Sequence, residues 1–218
     1  MFITFEGLDG SGKTTIINEL TNKLHNEIPY LKIILTREPG GKGLNEAERI
    51  REIILDKTSE LSPVAEAMLY STSRRIHLEK VIWPGLKKNQ LVLCDRYIDS
   101  FYAYQGFARG LGYSFVKSLT NLIIDNAIPN ITIFFDATPE QCLQRRQKSR
   151  LLHDRLEQED ISFHHKVYNG YKQLINEDRE RFIIVDAMGT PEEVTNDVFN
   201  KLLNHSGFKK YLKEISGE

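Results

Sequence analysis

The sequence predicts an α/β fold: a five-stranded parallel sheet with helices on both faces. Three observations predict it. Short apolar runs rich in β-branched and aromatic residues alternate with longer segments of helical character. All five runs end in an acid or a threonine, where a loop would begin. The first run leads directly into a glycine-rich phosphate-binding motif. Because strands that alternate with helices form parallel sheets through right-handed crossovers, we expect a doubly wound sheet in a single domain over residues 1–218.

The five predicted strands are apolar enough to be buried on both faces, as parallel strands are. They are Phe2–Glu6, Lys32–Thr36, Leu91–Asp95, Ile131–Asp136 and Arg181–Asp186. In a doubly wound sheet, ligands bind beyond the carboxyl ends of the strands. We therefore expect the functional residues directly after these runs.

Three helices are predicted to begin where a hydroxyl residue precedes a proline, a pattern typical of an N-cap followed by the first helical residue. These pairs are Ser62-Pro63, Thr138-Pro139 and Thr190-Pro191. A long helix is predicted over Leu61–Trp83, and Pro84-Gly85 is expected to stop it. A further stripe of Phe163, Val167 and Tyr171 is typical of a core-facing helix.

The composition limits the kind of partner this chain can have. Twenty-nine Lys and Arg residues nearly cancel 30 Asp and Glu residues, which argues against non-specific binding to nucleic acid or to acidic membranes. No apolar run approaches the roughly 18 residues that a transmembrane helix needs, and a strand beginning at Phe2 leaves no room for a signal peptide. The two cysteines, Cys94 and Cys142, lie far apart. We therefore expect a reduced, cytoplasmic protein.

The segment Gly7–Thr14 carries the pattern G-x-x-x-x-G-K-[ST] between a predicted strand and a predicted helix, Thr14–His25. Its glycines allow the backbone to bend so that several N–H groups point at a phosphate, and the helix N-terminus adds partial positive charge. Lys13 is placed to reach the β- and γ-phosphates of ATP, and the Thr14 hydroxyl to ligate Mg²⁺. The predicted ATP-binding residues of this loop are Gly7, Leu8, Asp9, Gly10, Ser11, Gly12, Lys13, Thr14 and Thr15.

A phosphate-binding loop alone does not separate kinases from other nucleotide-binding proteins. The chain lacks the N-K-x-D motif expected of a GTPase. The third strand ends at Asp95, and Arg96 follows it where a transporter-type ATPase would carry a second acid. An arginine at this place favours a second substrate that is itself phosphorylated, because two polyanions must then be brought together.

Three further segments carry a more specific resemblance. They are T-R-E-P-G-G at 36–41, D-R-Y-I-D-S at 95–100 and A-Y-Q-G at 103–106. Together with the phosphate-binding loop, these segments resemble the thymidylate kinase family in its bacterial form, over nearly the whole chain. The resemblance implies a P-loop kinase fold with a short mobile lid, and transfer of the γ-phosphoryl group of ATP to dTMP with Mg²⁺, for dTTP biosynthesis. It also implies a homodimer, and helices along 44–55 and 64–81 either line that interface or belong to the core.

The resemblance assigns roles to residues after the strands. It places Asp9 near the 3′-hydroxyl of dTMP and Tyr104 against the sugar 2′ position. Arg37 and Arg96 would bind the dTMP phosphate, for which the planar guanidinium is well suited. Asp95 would act on Mg²⁺ directly or through water, alongside Thr14. The remaining implied acceptor-site residues are Glu38, Arg51, Tyr70, Arg74, Ser100, Phe101 and Gln105; Lys13 and Arg96 are the implied catalytic residues outside the lid.

The base pocket is expected on the long helix. Tyr70 and Arg74 are four residues apart, so both face one side of that helix, and the resemblance assigns them to stacking on thymine and donating to a thymine carbonyl. Gln105 can both donate to and accept from a pyrimidine edge. Glu38 is expected to stabilise its loop or an arginine, since it would repel phosphate. Phe101 departs from the family, which commonly has a small polar residue there, so either this helix is shifted or the base is recognised mainly through Arg74, Gln105 and apolar contact.

Five cations crowd a segment predicted to be the lid, about 143–157: Arg145, Arg146, Lys148, Arg150 and Arg155. In an arbitrary protein such a run is usually a solvated face. In a kinase, a lid carries cations over the transferring phosphoryl group. Because the variable positions of the phosphate-binding loop contain no cation, we expect Arg146 or Arg150 to be catalytic and Arg155 to bind ATP.

Two alternatives stay open at this point. One is another nucleoside monophosphate kinase or a deoxynucleoside kinase, of which the latter would need a general base near the acceptor hydroxyl. The other is a nucleotide sensor without catalysis, which would need neither an acceptor site nor a cationic lid.

Overall fold

Five parallel strands form the central sheet of the protein. The structure, a computed structural model, describes residues 1–41, 43–149 and 159–217. The strands are β1 (Phe2–Glu6), β2 (Ile33–Arg37), β3 (Leu91–Asp95), β4 (Ile131–Asp136) and β5 (Phe182–Asp186). Their order across the sheet is β2-β3-β1-β4-β5, and every pairing is parallel. The predicted α/β class is confirmed, and β2 and β5 each begin one residue later than predicted.

The strand register brings the functional segments to one edge of the sheet. Phe5 pairs with Asp95, and Asp95 pairs in turn with Arg37 on the other side. The central strands are buried along nearly their whole length, because parallel strands are covered on both faces. The loops that follow β1, β2 and β3 therefore leave the sheet side by side.

Ten α-helices accompany the sheet in the described residues, and three of them begin as predicted. They are α1 (Lys13–Glu27), α2 (Asn45–Leu55), α3 (Pro63–His77), α4 (Trp83–Lys87), α5 (Ile98–Phe101), α6 (Tyr113–Ile124), α7 (Pro139–Ser149), α8 (Ile161–Glu177), α9 (Pro191–Asn204) and α10 (Ser206–Ser216). The Ser62 hydroxyl accepts from the N–H of Ala65, and Thr190 forms a reciprocal capping box with Glu193. Thr138 likewise caps α7 through Gln141. These caps satisfy N–H groups that would otherwise have no partner at a helix start.

The predicted stop at Pro84-Gly85 is wrong. After α3, a π-helical turn over Leu78–Ile82 leads directly into α4, and Pro84 and Gly85 lie inside that last segment. Proline is unfavourable inside an α-helix because it lacks an N–H and its ring meets the carbonyl four residues earlier. The wider π turn interrupts that hydrogen-bonding pattern immediately before Pro84, so the chain stays helical past the proline.

A second π-helical segment positions the residues that follow β3. It covers Tyr102–Ala108, continues directly from α5 and packs closely against α8. The approach is tight because Gly170 of α8 has no side chain: a Cβ there would lie 2.8 Å from the Phe107 ring. The predicted core stripe on α8 is confirmed, since Phe163, Val167 and Tyr171 are all buried.

The predicted lid falls mainly outside the described residues. Its first part belongs to α7, which ends at Ser149. Arg150 and Arg155, both predicted to act on phosphate, lie in the segment 150–158, outside the described residues. In the part of the chain that is described, no helix is long and apolar enough to cross a membrane.

Candidate active site

A cavity of about 440 Å³ opens at the carboxyl edge of the sheet, between the loops that follow β1, β2 and β3. It is lined by most of the residues that the sequence singled out. From the phosphate-binding loop and α1 these are Asp9, Gly10, Gly12, Lys13, Thr14 and Thr15; from the rest of the chain they are Arg37, Glu38, Pro39, Arg51, Leu55, Tyr70, Arg74, Asp95, Arg96, Tyr97, Ser100, Phe101, Tyr104 and Gln105. Gly7, Leu8 and Ser11 belong to the same loop but do not line the cavity.

Lys13 stands at the start of α1, with its ammonium group folded back on the loop. It donates to the carbonyl oxygens of Gly7 at 3.1 Å and Leu8 at 2.9 Å. Burial lowers the pKa of Lys13, and the neighbouring Arg96 lowers it further. A phosphate bound in the loop would place a negative charge beside this buried ammonium group and so favour its charged form.

Helix α7 lies directly over the phosphate-binding loop. At Gly10, whose φ is +92°, a Cβ would lie 2.7 Å from the Cys142 carbonyl oxygen and 2.9 Å from Cγ of Arg146. Arg146 is buried, and Arg145 donates to the Ser11 carbonyl at 3.3 Å. The first two cations of the predicted lid are thus placed beside the loop, although Arg146 does not line the cavity itself.

Thr14 and Asp95 face each other across the loop. The Thr14 hydroxyl donates to Oδ2 of Asp95 at 3.1 Å. The other carboxylate oxygen, Oδ1, is buried and has no hydrogen-bond partner among the described residues. No cluster of three or more His, Cys, Asp or Glu side chains placed to hold a metal is found in the described ranges. A hydroxyl with one carboxylate is nevertheless a donor set that suits Mg²⁺, which keeps waters and substrate phosphates as its other ligands.

Asp9 links the phosphate-binding loop to the loop after β3. Its Oδ1 accepts from Nη2 of Arg96 at 2.6 Å, and its Oδ2 accepts from the Tyr104 hydroxyl at 3.0 Å. Burial alone would raise the pKa of Asp9, but Arg96 and Lys13 outweigh it and hold the pKa well below its ordinary value. The group is therefore a permanent acceptor in the cavity wall.

Arg96 is held in place by Ser100 and Tyr171, for which the sequence predicted no contact with Arg96. Its backbone is left-handed, at φ 67°, and its Nη1 donates to the Ser100 hydroxyl at 2.8 Å and to Tyr171 at 3.2 Å. Both hydroxyls also bond to Oε2 of Glu6, at 2.5 Å and 2.9 Å, so the Ser100 hydroxyl is already engaged. Burial raises the pKa of Glu6 to about 7. A buried acid needs hydrogen-bond partners. Glu6, at the end of the first buried strand, was therefore the feature of the sequence that could have indicated this network.

The loop after β2 is tied to α2. Arg37 donates to Oε2 of Glu48 at 2.8 Å, and the N–H of Gly41 donates to the other oxygen of the same carboxylate at 3.0 Å. Arg51 donates to the Pro39 carbonyl at 2.9 Å. Nη1 of Arg37 is buried and has no hydrogen-bond partner in the described part of the chain. Arg37 thus reaches the cavity in a fixed orientation with donor capacity to spare.

Glu38 stabilises an arginine, as the sequence predicted. Its carboxylate accepts from Nε of Arg74 at 2.9 Å and contacts Nδ1 of His77 at 3.0 Å. Arg74 is only 2% exposed, so a solvated helix face is excluded. Burial would lower the pKa of Arg74, but Glu38 outweighs it and raises the pKa above its ordinary value. The guanidinium is a fixed cation in the cavity wall.

Further lining residues come from α3, from α5 and from the π-helical segment that follows α5. Tyr70 and Phe101 lie with ring centroids 6.2 Å apart, and the Arg74 guanidinium covers the Phe101 ring at 4.9 Å. Phe101 is one of the residues that line the cavity. Beside these rings, Gln105 donates its amide to Oε1 of Glu66 at 2.6 Å.

Comparison with known proteins gives consistent results. The family model described as thymidylate kinase matches residues 5–198. The chain is 58% identical to a thymidylate kinase from Mycoplasmopsis agalactiae, with 98% of this chain and 99% of the relative aligned. It is 44% identical to one from Staphylococcus haemolyticus, over 93% and 97%. A crystal structure of thymidylate kinase from Ehrlichia chaffeensis is similar with a TM-score of 0.74 and 31% identity, covering 93% of this chain and 98% of that one.

Proposed function

The chain belongs to the thymidylate kinase family and phosphorylates dTMP with ATP as the donor, and from that premise we propose how its cavity performs the transfer. The observation that carries the proposal is the position of Asp9 and Arg96. Their ion pair, at 2.6 Å, lies where the phosphate-binding loop meets the loop after β3. ATP binds on the side of the phosphate-binding loop and dTMP on the side of Arg74, so the two phosphate chains meet at this pair.

The acceptor phosphate is bound by Arg37 and Arg96. Both arginines line the cavity and both are oriented by other side chains, so little conformational entropy is lost when they bind. A guanidinium matches phosphate oxygens with two parallel N–H groups. Asp9 and Tyr104 then face the sugar, where the carboxylate accepts from the 3′-hydroxyl and the tyrosine ring occupies the space that a 2′-hydroxyl would need.

The base lies among Tyr70, Phe101 and Arg74. Its ring contacts the two aromatic side chains, while Arg74 donates to a carbonyl of thymine. Arg51 closes the side of this pocket and Gln105 its end. Because Phe101 offers no hydrogen bond, recognition of the base here relies on Arg74 and Gln105.

A magnesium ion would be held by Thr14 and Asp95. The buried, unpaired Oδ1 of Asp95 and the adjacent Thr14 hydroxyl fit a divalent cation that also takes phosphate oxygens. When bound, the ion neutralises charge on the transferring phosphates. Lys13 contributes to the same end by exchanging its bonds to the Gly7 and Leu8 carbonyls for phosphate oxygens.

The transfer needs position and charge rather than a protein nucleophile. An oxygen of the dTMP phosphate attacks the γ-phosphorus in line, while the bond from that phosphorus to the oxygen bridging the β-phosphate breaks and ADP leaves. Fixed cations stabilise the charge that spreads over the transferring group. Lys13 and Arg96 are two of these cations. Arg146 is a third, and it belongs to α7, which packs on Gly10. The lid, residues 143–157, is proposed to add Arg150 as a further catalytic cation and Arg155 as a contact to ATP.

The protein is proposed to be a cytoplasmic homodimer. Helices α3 and α6 are in contact, and their outer sides expose large apolar side chains: Val64, Met68, Phe115 and Leu122, the last at 77%. Exposed apolar side chains on two helices in contact favour an interface on this side of the protein. Cys94 and Cys142 are both free and buried, which suits a reducing compartment. Sedimentation of the purified protein tests the dimer, and a monomer at micromolar concentration would contradict it.

Coupled ADP-release kinetics with a panel of monophosphates test the site assignment. Arg74→Met is expected to raise KM for dTMP at least tenfold, because a buried hydrogen bond from a charged group contributes about 1.5–3 kcal/mol. Its KM for ATP should be unchanged. Arg75→Met is the matched control, since Arg75 is the next residue on α3 but pairs with Glu79 at the surface. Equal kinetics in the two variants would show that the base does not bind at Arg74.

A further inference from the structure

We propose that Glu66, a residue outside the cavity lining, determines which pyrimidine the acceptor site takes, because it fixes the orientation of the Gln105 amide. Glu66 is a positioning residue in this proposal and does not touch the substrate. The inference rests on the proposed function, since it requires that the base binds beside Gln105. Its consequence is a preference for a base that carries a hydrogen-bond donor at N3, as thymine does and cytosine does not.

The Gln105 amide has one orientation in this environment. Glu66 and Gln105 are each 1% exposed, and Nε2 of Gln105 lies 2.6 Å from Oε1 of Glu66. A carboxylate oxygen accepts the bond that this amide nitrogen donates, so the NH₂ group faces Glu66. The amide oxygen is attached to the same carbon and is directed away from Glu66, and no described residue bonds to it. Since Gln105 lines the cavity, this oxygen is the acceptor that the cavity presents.

A donor lies on the same wall. Nη1 of Arg74 is buried and has no hydrogen-bond partner among the described residues, because Glu38 engages only Nε of this side chain. The wall therefore presents one donor and one acceptor. Thymine carries the complementary pair, a carbonyl oxygen at C4 and an N–H at N3. Cytosine carries the opposite pair, an amino group at C4 and an unprotonated N3, so it would place donor against donor and acceptor against acceptor.

Arg109 holds Glu66 in place from behind. Its Nε lies 3.7 Å from Oε1 of Glu66, and its Nη1 lies 2.7 Å from Glu159 at the start of the chain leading into α8. The guanidinium also covers the Phe163 ring at 4.8 Å. A buried carboxylate requires such a cationic neighbour. The carboxylate thus keeps one position against the Gln105 amide before any substrate binds.

The test compares kcat/KM for dTMP with kcat/KM for dCMP. In Glu66→Gln, residue 66 can accept or donate, so the Gln105 amide can turn over and present its NH₂ to the cavity. The ratio of kcat/KM for dTMP to kcat/KM for dCMP is expected to fall at least tenfold, which corresponds to one mismatched buried hydrogen bond. Glu79→Gln is the matched control, because Glu79 pairs with Arg75 at the surface after α3, and its ratio should equal that of the wild type.

An exchange variant separates orientation from a merely structural role. In Glu66→Gln/Gln105→Glu, the amide of residue 66 donates to the carboxylate at 105, whose second oxygen again offers an acceptor to the cavity. The ratio should return to within about threefold of the wild type, a difference below 1 kcal/mol. A ratio that stays as low as in Glu66→Gln would overturn the inference, and so would an unchanged ratio in Glu66→Gln itself. If the single variant does not fold, the exchange variant carries the test.

Gln105→Ala distinguishes this inference from the proposed function. If Gln105→Ala leaves KM for dTMP unchanged, the base does not bind beside Gln105 and the proposed site is wrong. If Gln105→Ala raises that KM while Glu66→Gln leaves the ratio unchanged, the site stands and only the role of Glu66 fails.

Discussion

Tyr171→Phe is expected to weaken the action on dTMP although Tyr171 is wholly buried behind the cavity. Its hydroxyl contacts three groups of the network around Arg96: Oε2 of Glu6 at 2.9 Å, the Ser100 hydroxyl at 2.8 Å and Nη1 of Arg96 at 3.2 Å. Phenylalanine keeps the ring and removes only these bonds. Arg96 then loses one of the contacts that hold its guanidinium towards the proposed acceptor phosphate.

The magnitude follows from the charged partners. A hydrogen bond to a charged group contributes about 1.5–3 kcal/mol, and a buried group left unpaired costs a similar amount. Part of this loss lowers the free energy of unfolding, and part lowers the precision with which Arg96 is placed. We expect kcat/KM for dTMP to fall about tenfold, equivalent to 1.4 kcal/mol. The KM for ATP should change less than that for dTMP, because the substitution leaves the bonds of Lys13 to the Gly7 and Leu8 carbonyls in place.

Tyr168→Phe is the matched control. Tyr168 lies on the same helix, α8, and its hydroxyl donates to Oδ1 of Asp136 at 2.8 Å, away from Arg96. Both variants should lose stability in urea unfolding, but only Tyr171→Phe should lose turnover in the coupled ADP-release assay. If Tyr171→Phe loses stability and keeps the kcat/KM of Tyr168→Phe, the network supports the fold alone and does not position Arg96 for dTMP.

Three further outcomes are expected. Burial raises the pKa of Glu6 to about 7 from the ordinary 4.5, so between these pH values the folded chain keeps a proton that the unfolded chain has released. The free energy of unfolding should therefore fall by about 3 kcal/mol as the pH rises through this window. Glu6→Gln should lose this dependence on pH. Urea unfolding at pH 5 and pH 7.5 measures it, and parallel slopes in the two proteins would contradict it. Arg146→Ala should lower kcat at least a hundredfold, with a smaller change in KM, because it removes a charge that acts in the transition state; wild-type turnover in this variant would exclude Arg146. Phe101→Ser should change the ratio of kcat/KM for dTMP and dUMP, because these bases differ only in the C5 methyl group and serine removes the apolar ring that can contact it. An unchanged ratio would show that Phe101 plays no part in selecting the base.

The sheet was predictable because each strand is a short apolar run with a clear end. Strands buried on both faces must be apolar throughout, which is why Leu91–Asp95 and Ile131–Asp136 were predicted with their observed bounds. The path past Pro84 was not predictable in this way. It depends on the π-helical turn before the proline, and no sequence periodicity announces such a turn.

The residues that line the cavity were largely predictable from motifs, whereas the residues that hold them were not. Spacing places Tyr70 and Arg74 on one helix face, but the partner of Arg74 is Glu38, which lies 36 residues earlier. Tyr171 reaches Glu6 across 165 residues. Its position in an apolar stripe correctly predicted burial and concealed the role of its hydroxyl. Contacts between distant segments are set by the fold, and a single sequence does not record them.

The binding mode of the two substrates is tested by a crystal structure of the protein with dTMP and a non-hydrolysable ATP analogue. We expect the thymine ring against Tyr70 and Phe101 with its C4 carbonyl on Arg74, and the 5′-phosphate on Arg37 and Arg96. The γ-phosphate of the analogue should lie beside Lys13, in line with an oxygen of that 5′-phosphate. A thymine bound away from Arg74, or a 5′-phosphate that does not contact Arg96, would contradict it.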